Sequence, residues 1–153
     1  LPQAGGGLLT FLTCAREVPV ITVSCIKADI GGYVGHSAMH PDILALGQEE
    51  LEKARQRGLL VNCHASHCGD DLFLIMTHER GEDDEEVHRL AWGIFVKGTD
   101  VAKKLKLYGA GQDLLADAFA GNIRGLGPGS AEMEYTTMPI IAKKLASRWQ
   151  PLA

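Results

Sequence analysis

Val18-Pro19-Val20-Ile21-Thr22-Val23-Ser24-Cys25-Ile26-Lys27-Ala28-Asp29-Ile30-Gly31-Gly32-Tyr33-Val34-Gly35-His36 is the stretch that organises this chain. Val18 to Lys27 is rich in Val and Ile, with Pro19 near its start, and reads as a strand buried on at least one face. The strand ends at Asp29. Beyond it, closely spaced glycines allow the backbone and a polyanionic ligand to approach each other. A carboxylate and an imidazole thus stand together at a strand exit. Read with Gly69-Asp70-Asp71 and Gln112, they point to a magnesium-dependent sugar-phosphate site.

Working outward, Pro41 fits the first turn of a helix carrying Ile43, Leu44, Gly47, Leu51 and Ala54 on one face and ending at Arg55, Arg57 and Gly58. Leu59 to Ser66 and Leu72 to His78 read as two apolar strands. The five residues between them suit an antiparallel hairpin or bulged turn, which puts the Asp pair at a strand end. From Asp83, the spacing of Val87, Leu90, Ala91 and Ile94 is helical, with acidic residues at the start and Lys103, Lys104 and Lys106 at the end, as the helix dipole favours. The acidic run reads as a solvated helix start rather than a metal site. Gly111 to Phe119 forms a shorter candidate helix, Gly121 to Gly129 a glycine-dominated loop, and Pro139 to Trp149 an amphipathic helix. The β-α-β-β-α order predicts an α+β fold, a mostly antiparallel sheet with helices packed on one face. No solenoid-length repeat and no interdomain linker appears.

The bulk numbers exclude several function classes. At 153 residues the chain is one domain's worth, and its formal charge of −4 argues against a nucleic-acid-coating surface. An apolar content of 46%, without any apolar run near the ~18 residues a spanning helix needs, predicts no membrane role. Cys14, Cys25, Cys63 and Cys68 contain no Cys-x-x-Cys pair, which fits free thiols in a cytoplasmic protein better than a disulfide framework. Residues 1–17 lack the basic n-region of a secretory signal and read as an extension upstream of the domain.

Convergent carboxylates demand a counter-charge, because a pair ~4 Å apart at an effective dielectric near 20 costs about 4 kcal/mol. A site built from Asp29, Asp70 and Asp71 therefore requires a divalent cation or a raised pKa. Magnesium suits carboxylate, water and phosphate oxygens. Several such ions would polarise a phosphate and supply a hydroxide nucleophile. Gly121-Asn122-x-Arg124-Gly125-x-Gly127-Pro128-Gly129 offers backbone amides and a guanidinium, as a phosphate cradle or an ordinary loop; it is neither a Walker loop nor a dinucleotide fingerprint. Cys63-His64-x-x-His67-Cys68 invites a zinc reading, but strand alternation sends its four side chains to opposite faces in pairs.

Ser24 to His36, Ser66 to Asp71, Leu107 to Leu114 and Gly121 to Gly129 together resemble, in register from about Val20 to Glu134, the bifunctional fructose-1,6-bisphosphate aldolase/phosphatase family of archaea and deep-branching bacteria. The resemblance implies that Asp29, His36, Asp70, Asp71 and Gln112 are magnesium ligands, with Asp29 also activating the attacking water. It implies that His36, Tyr108, Gly121, Asn122 and Arg124 contact fructose 1,6-bisphosphate. It further implies an α-β-β-α layered sandwich in the full-length family, octameric assembly and a gluconeogenic role. Family members are longer, and the central region carrying their Schiff-base lysine, its tyrosine partner and a further aspartate pair has no counterpart here. Ala131-Glu132-Met133-Glu134-Tyr135-Thr136-Thr137 reads as the join of two similar segments flanking that region, so residues 18–153 are expected to form one truncated domain without aldolase activity. Two other classes stay open, a non-catalytic magnesium and sugar-phosphate binding module that oligomerises, and a Cys/His metal module.

Overall fold

The computed structural model describes residues 20–111, 114 and 127–136 of the chain. Its elements in order are β1 (Val20–Asp29), α1 (Pro41–Gln56), β2 (Asn62–Cys68), β3 (Asp71–His78), α2 (Glu85–Lys104) and β4 (Gly129–Thr136). They form one sheet of order β2-β3-β1-β4 in which every neighbouring pair is antiparallel. With its helices between β1 and β2 and between β3 and β4, this is the arrangement of a split β-α-β, or ferredoxin-like, unit. The expected α+β class with an antiparallel sheet is what forms.

β1 alternates strictly. Thr22, Ser24, Ile26 and Ala28 are buried, while Ile21, Val23, Cys25, Lys27 and Asp29 are half-buried on the other face. β3 repeats the pattern, burying Leu72, Leu74, Met76 and His78. Against that face pack Ile43, Leu51 and Ala54 of α1 with Val87, Ala91, Ile94 and Phe95 of α2, all at most 1% exposed. Burying one large side chain of this kind stabilises by roughly 1.5–3 kcal/mol, so this layer holds the helices to the sheet.

Both helices have built ends. Pro41 occupies the first turn of α1, and the His40 side chain accepts the Asp42 N–H. The Asp84 carboxylate accepts the N–H groups of Glu86 and Val87, each at 3.1 Å, a cap contributing about 1 kcal/mol. The second helix thus begins at Glu85 rather than at the expected Asp83, which has left-handed backbone.

Three further expectations are corrected. The second strand runs from Asn62 to Cys68 rather than from Leu59 to Ser66, because the chain leaving α1 turns through Gly58 (φ 81°) and buries Leu60 before pairing starts. The hairpin connection is therefore Gly69-Asp70 alone. The third correction is β4, which extends the expected order by one strand: Gly129 belongs to it, and the Ala131–Glu134 segment lies inside it, paired with β1 from Thr22↔Glu134 to Cys25↔Ala131. The expected helix at Pro139–Trp149 and almost all of that at Gly111–Phe119 lie outside the described residues. No helix among the described residues is long and apolar enough to cross a membrane.

Candidate metal and phosphate site

β1 and β3 pair so that Asp29 and Asp71 are direct cross-strand neighbours at one end of the sheet. Gly69-Asp70 turns the hairpin beside them, and the loop leaving β1 returns His36 to the same end. One ligand atom each of Asp29, His36 and Asp70 lies within 4.8 Å of the others. His36 Nδ1 is hydrogen-bonded to Asp70 Oδ2 at 2.6 Å and lies 4.0 Å from Asp29 Oδ2. Asp29 Oδ1 accepts the Gly31 N–H at 3.1 Å. Two carboxylates thus share one imidazole neighbour.

Their depths differ: the Asp70 side chain is 8% exposed, that of Asp29 15% and that of His36 48%. The carboxylates form the floor and the imidazole forms the rim. His36 holds its place with left-handed backbone, φ 53°, a conformation that costs a non-glycine residue of the order of 1 kcal/mol or more. Such strain persists only where the surroundings over-determine it. Here they do, through the short bond to Asp70 and an edge-on contact with the Tyr108 ring, centroids 5.2 Å apart.

Close backbone approach assembles the rest. Gly32 and Tyr108 exchange two backbone hydrogen bonds, N–H to carbonyl at 3.1 and 3.0 Å. A Cβ on Gly32 would stand 2.3 Å from Asp70 Cβ and 2.7 Å from the Ala38 carbonyl, and one on Gly69 2.8 Å from the His36 carbonyl. Those two glycines let the β1 exit loop and the β2–β3 turn touch.

The expected site residues divide accordingly. Asp29, His36 and Asp70 come together, and Tyr108 borders them. Asp71 is adjacent in the ladder, but its Oδ2 accepts from Lys27 Nζ at 2.6 Å. Gln112, Gly121, Asn122 and Arg124 lie outside the described residues. Lys27 is an addition that the sequence reading passed over, and its position two residues before Asp29 on an alternating strand was the available signal.

Elsewhere, the cysteines and histidines of β2 form no metal-ligand cluster among the described residues. Cys63 faces Glu52, and burial together with that carboxylate pushes its thiol pKa up. Cys25, Cys63 and Cys68 are free thiols. Of the acidic run, Asp84 caps α2 and pairs with Arg80 at 2.9 Å, while Glu86 pairs with Arg80 at 2.8 Å. Asp83 is exposed before the helix, with a ligand atom within 4.8 Å of those of His88 and Glu132.

Residues 20–150 match the family model described as fructose-1,6-bisphosphatase. This chain belongs to that family. Among curated proteins, those named fructose-1,6-bisphosphate aldolase/phosphatase from Thermococcus onnurineus and Thermococcus kodakarensis are 55% and 57% identical over 116 residues, 76% of this chain and 31% of each relative. The protein of that name from Moorella thermoacetica is 56% identical over 115 residues, 75% of this chain and 30% of its own length. The chain thus spans about a third of the length of these fructose-1,6-bisphosphatase family members.

Proposed function

We propose that this chain carries the metal-binding side of a fructose-1,6-bisphosphate phosphatase centre, in which Asp29, His36 and Asp70, with Asp71 and Gln112, hold magnesium ions. The observation that supports it best is the convergence of Asp29, His36 and Asp70 within 4.8 Å, positions that the family resemblance singles out, the last of them 34 residues beyond His36. The donor set fits a hard divalent cation, because two carboxylates this close need a counter-charge and carboxylate oxygen is what magnesium prefers. Bound there, such a cation would polarise the phosphate and lower the pKa of a water.

The chain's own groups have separable tasks. With Oδ1 held by the Gly31 N–H, Asp29 presents Oδ2 toward the centre as the proton acceptor for the attacking water. Asp70 orients His36, and His36 and Tyr108 form the rim that meets the sugar phosphate, with Gly121, Asn122 and Arg124 completing the contacts. Lys27 neutralises Asp71 beside the centre. Of the family's two activities, only phosphate release is proposed for this chain, since the Schiff-base lysine segment of the resemblance has no counterpart in it. A cytoplasmic, oligomeric protein is the setting this reading implies.

The test is phosphate release from fructose 1,6-bisphosphate by the purified 153-residue chain with and without magnesium. Magnesium-dependent turnover that falls by about a hundredfold or more in Asp29→Ala is the expected result. A folded chain that binds magnesium through Asp70 without turnover would instead be the non-catalytic binding module. Incubation with the two triose phosphates should yield no fructose bisphosphate, and its appearance would overturn the proposed loss of aldol chemistry.

A further inference from the structure

Midway along β1, opposite Ser24, Glu132 of β4 turns its carboxylate under the start of α2, where its side chain is 7% exposed. Its Oε1 accepts from the Ser24 hydroxyl at 2.6 Å and from His88 Nε2 at 3.1 Å, and its Oε2 accepts the Asp83 N–H at 2.5 Å. Ser24 in turn meets His78 Nε2 at 2.8 Å, while His78 Nδ1 accepts the Arg80 N–H at 3.4 Å. The proton is therefore assigned to Nε2, and the chain of donors runs from His78 through Ser24 to Glu132. With the His88 and Asp83 bonds, this uses three of the carboxylate's roughly four acceptor sites.

A separate observation lies two residues away on the same face of β1. The Thr22 hydroxyl is fully buried and has no hydrogen-bond partner among the described residues. Thr22 is the cross-strand neighbour of both His78 and Glu134, on the face of β1 that carries Ser24. A buried hydroxyl without a partner costs about 1–3 kcal/mol, which water or a ligand shell reaching it would recover.

We propose that Asp83, His88 and Glu132 form a second, divalent transition-cation site, taking Co²⁺, Ni²⁺ or Zn²⁺ with water in the remaining positions. Their ligand atoms already lie within 4.8 Å of one another. One imidazole with two carboxylates is a donor set that these metals accept, whereas the proposed Asp29 centre adds the oxygen donors of Asp71 and Gln112, which suit magnesium. Charge favours a cation here. Among the described residues Glu82, Asp83 and Glu134 have no Lys or Arg within ion-pair distance, since Arg80 is taken by Asp84 and Glu86 and Arg89 by Glu85. The positive end of α2 opposes binding, but by only about 0.3–1 kcal/mol at an exposed terminus. Asp83 is exposed and the His88 side chain 37% exposed, so an ion enters from solvent and needs only the His88 Nε2 proton to leave. The site is distinct from the Asp29 centre, because Ser24 and Asp29 stand about 17 Å apart along an extended strand. Its cation would tie the loop before α2 to the edge strand β4, beside a cleft of about 420 Å³ lined by His88, Trp92, Phe95 and Ser130.

Trp92, one helical turn from His88 and lining the same cleft, is the reporter. Trp149→Phe protein, purified without a histidine tag, would be titrated with Co²⁺ while the fluorescence of Trp92 is read. The expected result is saturable quenching whose midpoint weakens about tenfold or more in His88→Ala and Asp83→Asn, and stays unchanged in His36→Ala. Co²⁺ should also raise the melting temperature of the parent by more than that of His88→Ala, in which the Asp29 centre is intact. Glu132→Gln risks unfolding because the residue is buried, so the half-exposed His88 and the exposed Asp83 carry the test, each checked by circular dichroism. Absent quenching, an equal midpoint in His88→Ala, or equal loss in His36→Ala would each overturn the proposal.

Discussion

Gly32 shows how little room the candidate centre has. An added Cβ would lie 2.3 Å from Asp70 Cβ, and neither atom is the free end of a flexible chain. Gly32→Ala is therefore expected to displace Asp70 and its bond to His36, costing about 1–3 kcal/mol of stability and weakening divalent-cation affinity more than Tm alone would suggest. Calorimetric titration with Mg²⁺ alongside thermal melting checks both; unchanged affinity would show that the two loops slide apart freely. At this scale the sequence was informative about residue identity. The glycines, Asp29, His36 and the Asp pair all stood out, but the pairing of Asp71 with Lys27 did not, because it depends on a diagonal contact across the β1–β3 ladder.

Elements were legible where their own periodicity matched their environment. α1 and α2 carry apolar residues at helical spacing with suitable charges at their ends, and both form close to where expected. Gly47 is buried inside α1, where a Cβ would meet Ala65 and Leu72 at 3.5 Å, ordinary contact. Gly47→Ala should thus stabilise by roughly 0.5–1 kcal/mol through helix propensity, read as a higher urea midpoint with an unchanged slope. A lower midpoint would mean that α1 sits closer to the sheet than this spacing allows. β4 was the element missed. Its alternation is present, with Ala131, Met133 and Tyr135 on one face and Glu132 and Glu134 on the other, but the face turned toward the helices is charged. Inward-pointing charges are typical of edge strands, and they hide such a strand from any reading that looks for an apolar face.

Across the whole molecule, the buried His78–Ser24–Glu132 network sets an acid limit on stability. Burial lowers the His78 pKa, with Arg80 and His88 adding to the effect and Glu132 and Asp84 opposing it. Burial pushes the Glu132 pKa up, but the Asp83 N–H, the Ser24 hydroxyl and His88 together hold it below the usual range. For both groups the unfolded chain takes up a proton before the folded one does. Their stability contributions are thus present above the ordinary pKa values of 6.5 and 4.5 and are lost as pH falls through the lowered ones. The melting temperature should decline from pH 7 to pH 5, and His78→Gln should flatten that decline; a slope unchanged in the variant would assign the effect to other groups.

The sequence by itself determined the α+β class, both helices, three of the strands and the family, because propensity, alternation and a motif in register are local properties of the chain. Tertiary structure alone decided which strand each one lies against. Ser24 and Glu132, 108 residues apart, meet only because β4 joins the edge beside β1, and His36 reaches Asp70, 34 residues on, only because two glycines let two loops touch. Alternation tells a residue which face it occupies but not which neighbour shares that face. The neighbour is fixed by strand order and loop closure, which depend on the packing of the whole core.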